Sequence, residues 1–162
     1  MCNAFCPFSI AKHSFFLSEH RQHAGGFAPV RWVRALFVYE ITTVIFSEGL
    51  EKIGVAFYNS ASTSITIGNT VSVIESSTFD NCQQAVTLTI GSGVTSIGNE
   101  AFIDIVRLNT ITILAEVPPT LCTDVFKNVP STAIIYVPAD SVDLYKTADG
   151  WAALADRIQA IS

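Results

Sequence analysis

The chain repeats itself every 23 residues, and that period limits its possible folds more than any other feature. Ile65, Leu88, Ile111 and Ile134 follow one another at intervals of 23 residues. Ile67, Ile90 and Ile113 keep the same interval, with Tyr136 next in line. Val71 recurs as Val94, Ile74 as Ile97 and Phe79 as Phe102. An earlier copy, shortened by two residues, shows as Val44, Phe46, Leu50, Ile53 and Phe57. In the fourth copy Val125-Phe126 repeats Ala101-Phe102 with one residue inserted.

Each copy opens on alternating residues such as Ser64-Ile65-Thr66-Ile67, the two-residue period of a strand with one buried face. A turn element follows, Asn69-Thr70 or Ser92-Gly93. One copy cannot bury its five apolar side chains alone, whereas stacked copies bury them in continuous columns. The expected fold is therefore a right-handed repeat solenoid. Its strands lie in parallel, one above the other, and each apolar column runs on through the stack. Asn59, Asn81, Asp104 and Asn128 each lie two residues after the repeat phenylalanine. In that position they are expected to bond backbone groups that lack strand partners.

Composition bounds the function. Of 162 residues 49% are hydrophobic and 14% charged, which suits a packed core and excludes a disordered polyelectrolyte. The net charge of −5 argues against a nucleic-acid partner, because phosphate binding needs a concentrated basic surface. Residues 1–40 are net basic, residues 41–162 strongly acidic, and the change marks a boundary near residue 40. That first segment shows neither the unbroken apolar run of a secretory signal nor a membrane span: Lys12 and His13 interrupt one window, and Arg31, Arg34 and Glu40 the other. Two readings of it stay open: a partial cap that covers the first coil through Trp32, Leu36 and Val38, or an atypical, disordered start that never packs.

The motifs Ser96 to Phe102 (SIGNEAF), Phe79 to Cys82 (FDNC) and Leu88 to Val94 (LTIGSGV) resemble leucine-rich repeats of the BspA-like type. The resemblance covers residues 41–138. It implies a leucine-rich-repeat solenoid with a short parallel β-sheet, irregular or short helical outer segments and a helical C-terminal cap, a location on the cell surface or outside the cell, and adhesion to a protein partner, such as a host or cell-surface protein. Residues 139–162 resemble that family's C-terminal cap. Asp140 is the expected helix N-cap and Gly150 the stop, and Trp151, Leu154, Ile158 and Ile161 keep a spacing of 3, 4 and 3 that places them on one helical face. Trp151 reads as an anchor of that cap rather than a ligand-stacking ring.

No enzymatic site is expected. Residues 24–162 contain no histidine, so no Ser or Cys there has an imidazole to activate it, and neither a nucleophile elbow nor a phosphate loop is present. Glu48, Glu51, Glu75 and Glu100 sit in turn or outer positions, where a carboxylate is ordinarily solvated. Cys82 reads as a small buried hydrophobe, and no Cys82–Cys122 bridge is implied. Cys2, Cys6, His20 and His23 are the sharpest zinc candidates, but their histidine spacing is one short of a finger's, and no metal or other cofactor is assigned.

What remains is a surface. Thr43, Ser64, Thr66, Thr87, Thr89, Thr110 and Thr112 flank the inward residues of successive strands, with Ile45 beside Thr43 on the first strand and Ala133 and Ile135 on the last. They form the expected face for a protein partner. A water- or ice-ordering threonine array is the alternative, weakened because leucine-rich repeats curve, and so is a purely structural role.

Overall fold

The computed structural model describes residues 51–54 and 57–162, together with strand backbone at Trp32–Val33 and Thr43–Phe46. The Cys2/Cys6/His20/His23 set, Leu36, Val38 and Glu48 lie outside the described residues. The described strands form two parallel sheets. One contains β2 (Thr43–Phe46), β4 (Ser64–Ile67), β6 (Thr87–Ile90), β8 (Thr110–Ile113), β10 (Ile134–Val137) and β11 (Ile158–Ala160), in that spatial order. The other contains β1 (Trp32–Val33), β3 (Lys52–Ile53), β5 (Val73–Ile74), β7 (Ser96–Ile97) and β9 (Thr120–Leu121). Each coil thus gives one four-residue strand to the first sheet and a two-residue strand to the second. The sequence pattern predicts only the first sheet.

Register makes the columns real. Ile65 pairs with Leu88 and Leu88 with Ile111, while Ile67, Ile90 and Ile113 run in parallel. All six are at most 1% exposed. Fully burying such a side chain is worth about 1.5–3 kcal/mol relative to leaving it in water. The fourth member of the predicted column is corrected. Ile135, not Ile134, lies opposite Ile111, and Ile134 lies opposite Thr110. Val137, not Tyr136, continues the Ile113 column, and Ile135 and Val137 are both fully buried. Since Ile113 pairs with Ile90 but Thr120 with Ser96, the interval grows from 23 to 24 residues inside the connection 114–119. In a strand a slip of one residue exchanges the faces, so the extra residue moves the side chains of β10 from the predicted side to the other.

A third ladder ties the coils together at the phenylalanine turns. Ser77, Phe79 and Asn81 donate their N–H groups to the carbonyls of Asn99, Ala101 and Ile103 in the next coil. Phe102 and Asp104 donate likewise to Val125 and Lys127. The ladder residues Asn59, Asn81, Asp104 and Asn128 all have φ near +60°, a left-handed conformation that Asn and Asp tolerate better than other side-chain-bearing residues. The expectation that these side chains bond backbone groups is corrected. The neighbouring coils satisfy the backbone, and the side chains bond each other: Asn81 Nδ2 donates to Asn59 Oδ1 at 3.0 Å, and Asn128 Nδ2 to Asp104 Oδ1 at 2.6 Å. Close approach between coils also explains a glycine. A Cβ at Gly93 would collide with the carbonyl of Asn69 in the preceding coil.

Inside the turns the phenylalanine rings stack. Phe57, Phe79, Phe102 and Phe126 follow one another with centroids 5.5, 5.3 and 5.6 Å apart and planes within 14° of parallel. Trp151 continues the series at 6.1 Å from Phe126, tilted by 55°, and Tyr145 meets it edge-on at 5.1 Å. Cys82 packs fully buried beside this column as a free thiol, donating to the carbonyl of Phe57 at 3.0 Å; burial pushes its pKa up to about 12, so it stays protonated. Cys122 is exposed and also free.

The C-terminal residues differ from the single helical face expected. A 3₁₀ turn, Ala139–Ser141, leads into a six-residue helix α1 (Val142–Thr147), and Ala152–Arg157 is again 3₁₀. Ser141, not Asp140, is the helix N-cap, and it makes no side-chain capping bond. Ile158 is buried as predicted but on β11, which pairs in parallel with β10 and satisfies one more row of backbone groups than a helix could there. Gly150, at φ +78°, lies beyond the helix end, where its backbone passes over the Leu121 side chain. The two buried aromatics fasten the irregular connection: Tyr145 Oη donates to the carbonyl of Ala115 at 2.9 Å and Trp151 Nε1 to that of Pro119 at 2.7 Å.

Candidate interaction face

The outward positions of the first sheet follow from the same register. Thr43, Ser64, Thr87 and Thr110 stand opposite one another in one column, and Thr66, Thr89 and Thr112 in a second. Alternation dictates this: with Ile65 and Ile67 facing the core, Ser64 and Thr66 must face away. Thr87 is exposed and the other five of the predicted residues with described side chains are half-buried, shielded by their neighbours on adjoining strands. Thr43 takes its place by backbone register alone. Thr87 Oγ1 donates to Ser64 Oγ at 3.0 Å, so one column is partly satisfied internally.

The predicted end of the face is corrected. Ala133 and Ile135 are completely buried, and the positions that follow Thr110 and Thr112 are Ile134 and Tyr136, with Gln159 beyond Tyr136. The sequence held the signal for this, since the insertion seen at Val125-Phe126 already required a 24-residue step. The described face is therefore hydroxyl-lined over three strands, continues over Ile134 and Tyr136 to Gln159, and carries no charged residue.

Charge gathers instead at the phenylalanine turns. Asp80, Glu100, Asp104 and Asp124 occur there, with Lys127 Nζ 2.9 Å from Asp124 Oδ2. Partial burial raises the Asp80 pKa, and the nearby Asp104 and Glu100 charges raise it further. A carboxyl whose folded pKa lies above its unfolded value holds its proton more readily when folded. Its ionisation therefore costs stability as pH rises through that window. Asp80→Asn is expected to raise the melting temperature near neutral pH, and the gain is expected to vanish below the ordinary carboxylate range, where both states are protonated. Added salt should raise the wild-type melting temperature more than the variant's. Thermal melts across pH and salt check this.

Among the described residues no group of three or more His, Cys, Asp or Glu is arranged to hold a metal ion. The second sheet, which the sequence reading missed, carries a shallow depression lined by Val73, Ile74, Glu75, Ser76, Ser96 and Gly98. Its chemistry is one carboxylate and two hydroxyls. No helix of the described residues is long and apolar enough to cross a membrane.

No curated protein matches the chain. A model of the BspA type leucine rich repeat region matches residues 36–143 in six copies. The match takes in the described strands from β2 to β10, whose equivalent positions fall in register coil after coil. On both grounds, the extent of the match and the repeated strand pairing, the chain belongs to the BspA-type leucine-rich-repeat family.

Proposed function

We propose that this chain is a non-catalytic interaction module, at the cell surface or outside the cell, that presents its six-stranded sheet to a protein partner. In this reading residues 41–138 wind as a right-handed solenoid and residues 139–162 cap its end through Trp151 and Tyr145, while residues 1–40 are a leading segment that caps the first coil in part, with Trp32–Val33 paired onto β3. The observation that carries the reading is the pair of uncharged, in-register columns Ser64/Thr87/Thr110 and Thr66/Thr89/Thr112. Such a surface offers many hydroxyl donors and acceptors at fixed spacings, about 4.8 Å across strands and about 6.7 Å along them. It buries without the desolvation penalty of charge. Family membership supports the same reading, since leucine-rich repeats typically mediate protein interactions.

The test is a variant that spoils the face without disturbing the core. Thr66→Lys, Thr89→Glu and Thr112→Lys together place long side chains on one column, with opposite charges on adjacent strands to keep the sheet stable. Wild-type protein is expected to bind at least one member of a panel of purified extracellular-matrix and cell-surface proteins. The triple variant should bind it at least about tenfold more weakly, a loss of about 1.4 kcal/mol or more, with its melting temperature little changed. Undiminished binding by a folded variant would assign the interaction to another surface.

A further inference from the structure

We propose that the outer edge of β11 pairs antiparallel with the same strand of a second copy of this chain, joining two six-stranded sheets into one. The backbone of β11 is half used. Ile161 donates its N–H to the carbonyl of Val137 at 2.8 Å, and peptide groups alternate along a strand, so Ala160 turns its N–H and C=O away from β10. Ala160 is exposed, as are Gln159 and Ile161 on either side. The second sheet ends differently. Its last strand, β9, lies beneath the chain at Gly150, whose backbone rests against Leu121.

Edge strands of monomeric proteins are usually protected by lysine, proline, a bulge or a covering element. The segment Ile158-Gln159-Ala160-Ile161-Ser162 carries no charged side chain and no proline. Apolar surface collects beside it. Of the six large hydrophobic residues exposed among the described residues, Leu114, Val117, Leu144 and Ile161 belong to this end. Leu114 and Ile161 lie in line at the ends of β8 and β11, on either side of Pro138. Val117 belongs to the connection whose Ala115 carbonyl accepts from Tyr145, the residue next to Leu144.

The strip is complementary to itself. A two-fold axis through Ala160 sets Ala160 against its copy, Ile158 against Ser162 and Gln159 against Ile161, with both backbones offering their unused groups at the same places. A small residue sits at the centre, and no like charges meet. The chain as a whole carries −5, so two copies repel at long range and the pairing should tighten as salt rises.

Sedimentation equilibrium of the whole chain, from micromolar to sub-millimolar concentration at low and high salt, tests the proposal. A dimer fraction that grows with concentration and with salt is expected. Ala160→Pro removes the outward N–H at a position where an edge strand tolerates proline, and it should weaken dimerisation at least about tenfold. Gln159→Lys with Ile161→Lys should do the same by charge alone and serves if the proline variant does not fold. The threonine-face triple variant should dimerise like wild type, which separates this edge from the face proposed above. A wild-type chain that stays monomeric throughout overturns the proposal, as does dimerisation unaffected in a folded edge variant, or lost in the threonine-face variant.

Discussion

Replacing Phe102 with alanine is expected to lower the unfolding free energy by about 3–5 kcal/mol. Phe102 is completely buried in the middle of the ring column, 5.3 Å from Phe79 on one side and 5.6 Å from Phe126 on the other. Its removal takes away the transfer energy of one large ring and opens a cavity between two coils. It also forfeits two aromatic contacts, each worth about 0.5–1.5 kcal/mol. The site can collapse little, because the third ladder holds the backbone at Phe102 N–H to the Val125 carbonyl, 3.1 Å away. Equilibrium urea unfolding measures the loss. Phe102→Leu, which keeps most of the volume, should cost markedly less, and a loss of about 1 kcal/mol or less for Phe102→Ala would show that the ring column does not bear on stability.

Trp151→Ala is expected to have a comparable effect, about 3–5 kcal/mol, distributed differently along the chain. Trp151 is fully buried, ends the ring column against Phe126, takes the edge contact of Tyr145 and donates to the Pro119 carbonyl. Truncating it leaves that buried carbonyl without its donor, at a cost of about 1–3 kcal/mol of the total. Repeat arrays hold together by contacts between neighbours, so damage at one end should stay near that end. Hydrogen exchange is expected to accelerate in β10, β11 and the connection 114–119 while the amides of β4 and β6 keep their protection. Phe102→Ala should loosen coils on both sides of the substitution. A uniform loss of protection in the Trp151 variant would contradict the nearest-neighbour picture.

Much of this architecture is legible in the sequence because periodicity is a property of the chain itself. The columns Ile65–Leu88–Ile111 and Ile67–Ile90–Ile113 need no tertiary information beyond the interval, and neither do the outward threonines that alternate with them. The errors lie where the interval changes. One residue added in 114–119 exchanges Ile134 for Ile135, and the two-residue strand period turns that small shift into a complete reversal of face. The C-terminal helix was misread for a related reason. Trp151 and Ile158 satisfy helical spacing and are both buried, yet they sit on different elements, because the open edge of β10 offers Ile158–Ala160 hydrogen bonds that no local pattern records. The second sheet escaped notice because two residues are too few to show an alternation. The left-handed turns at Asn59, Asn81, Asp104 and Asn128 were visible as a polar column, but not as a conformation.

The central claim is that successive coils pair strand on strand in one register, and nuclear Overhauser contacts across the six-stranded sheet test it most directly. The account predicts backbone contacts between Leu88 and Ile111 and between Ile111 and Ile135, with Ile134 opposite Thr110. Contacts placing Ile134 opposite Ile111, or the absence of any contact between residues 23 or 24 apart in these strands, would contradict it.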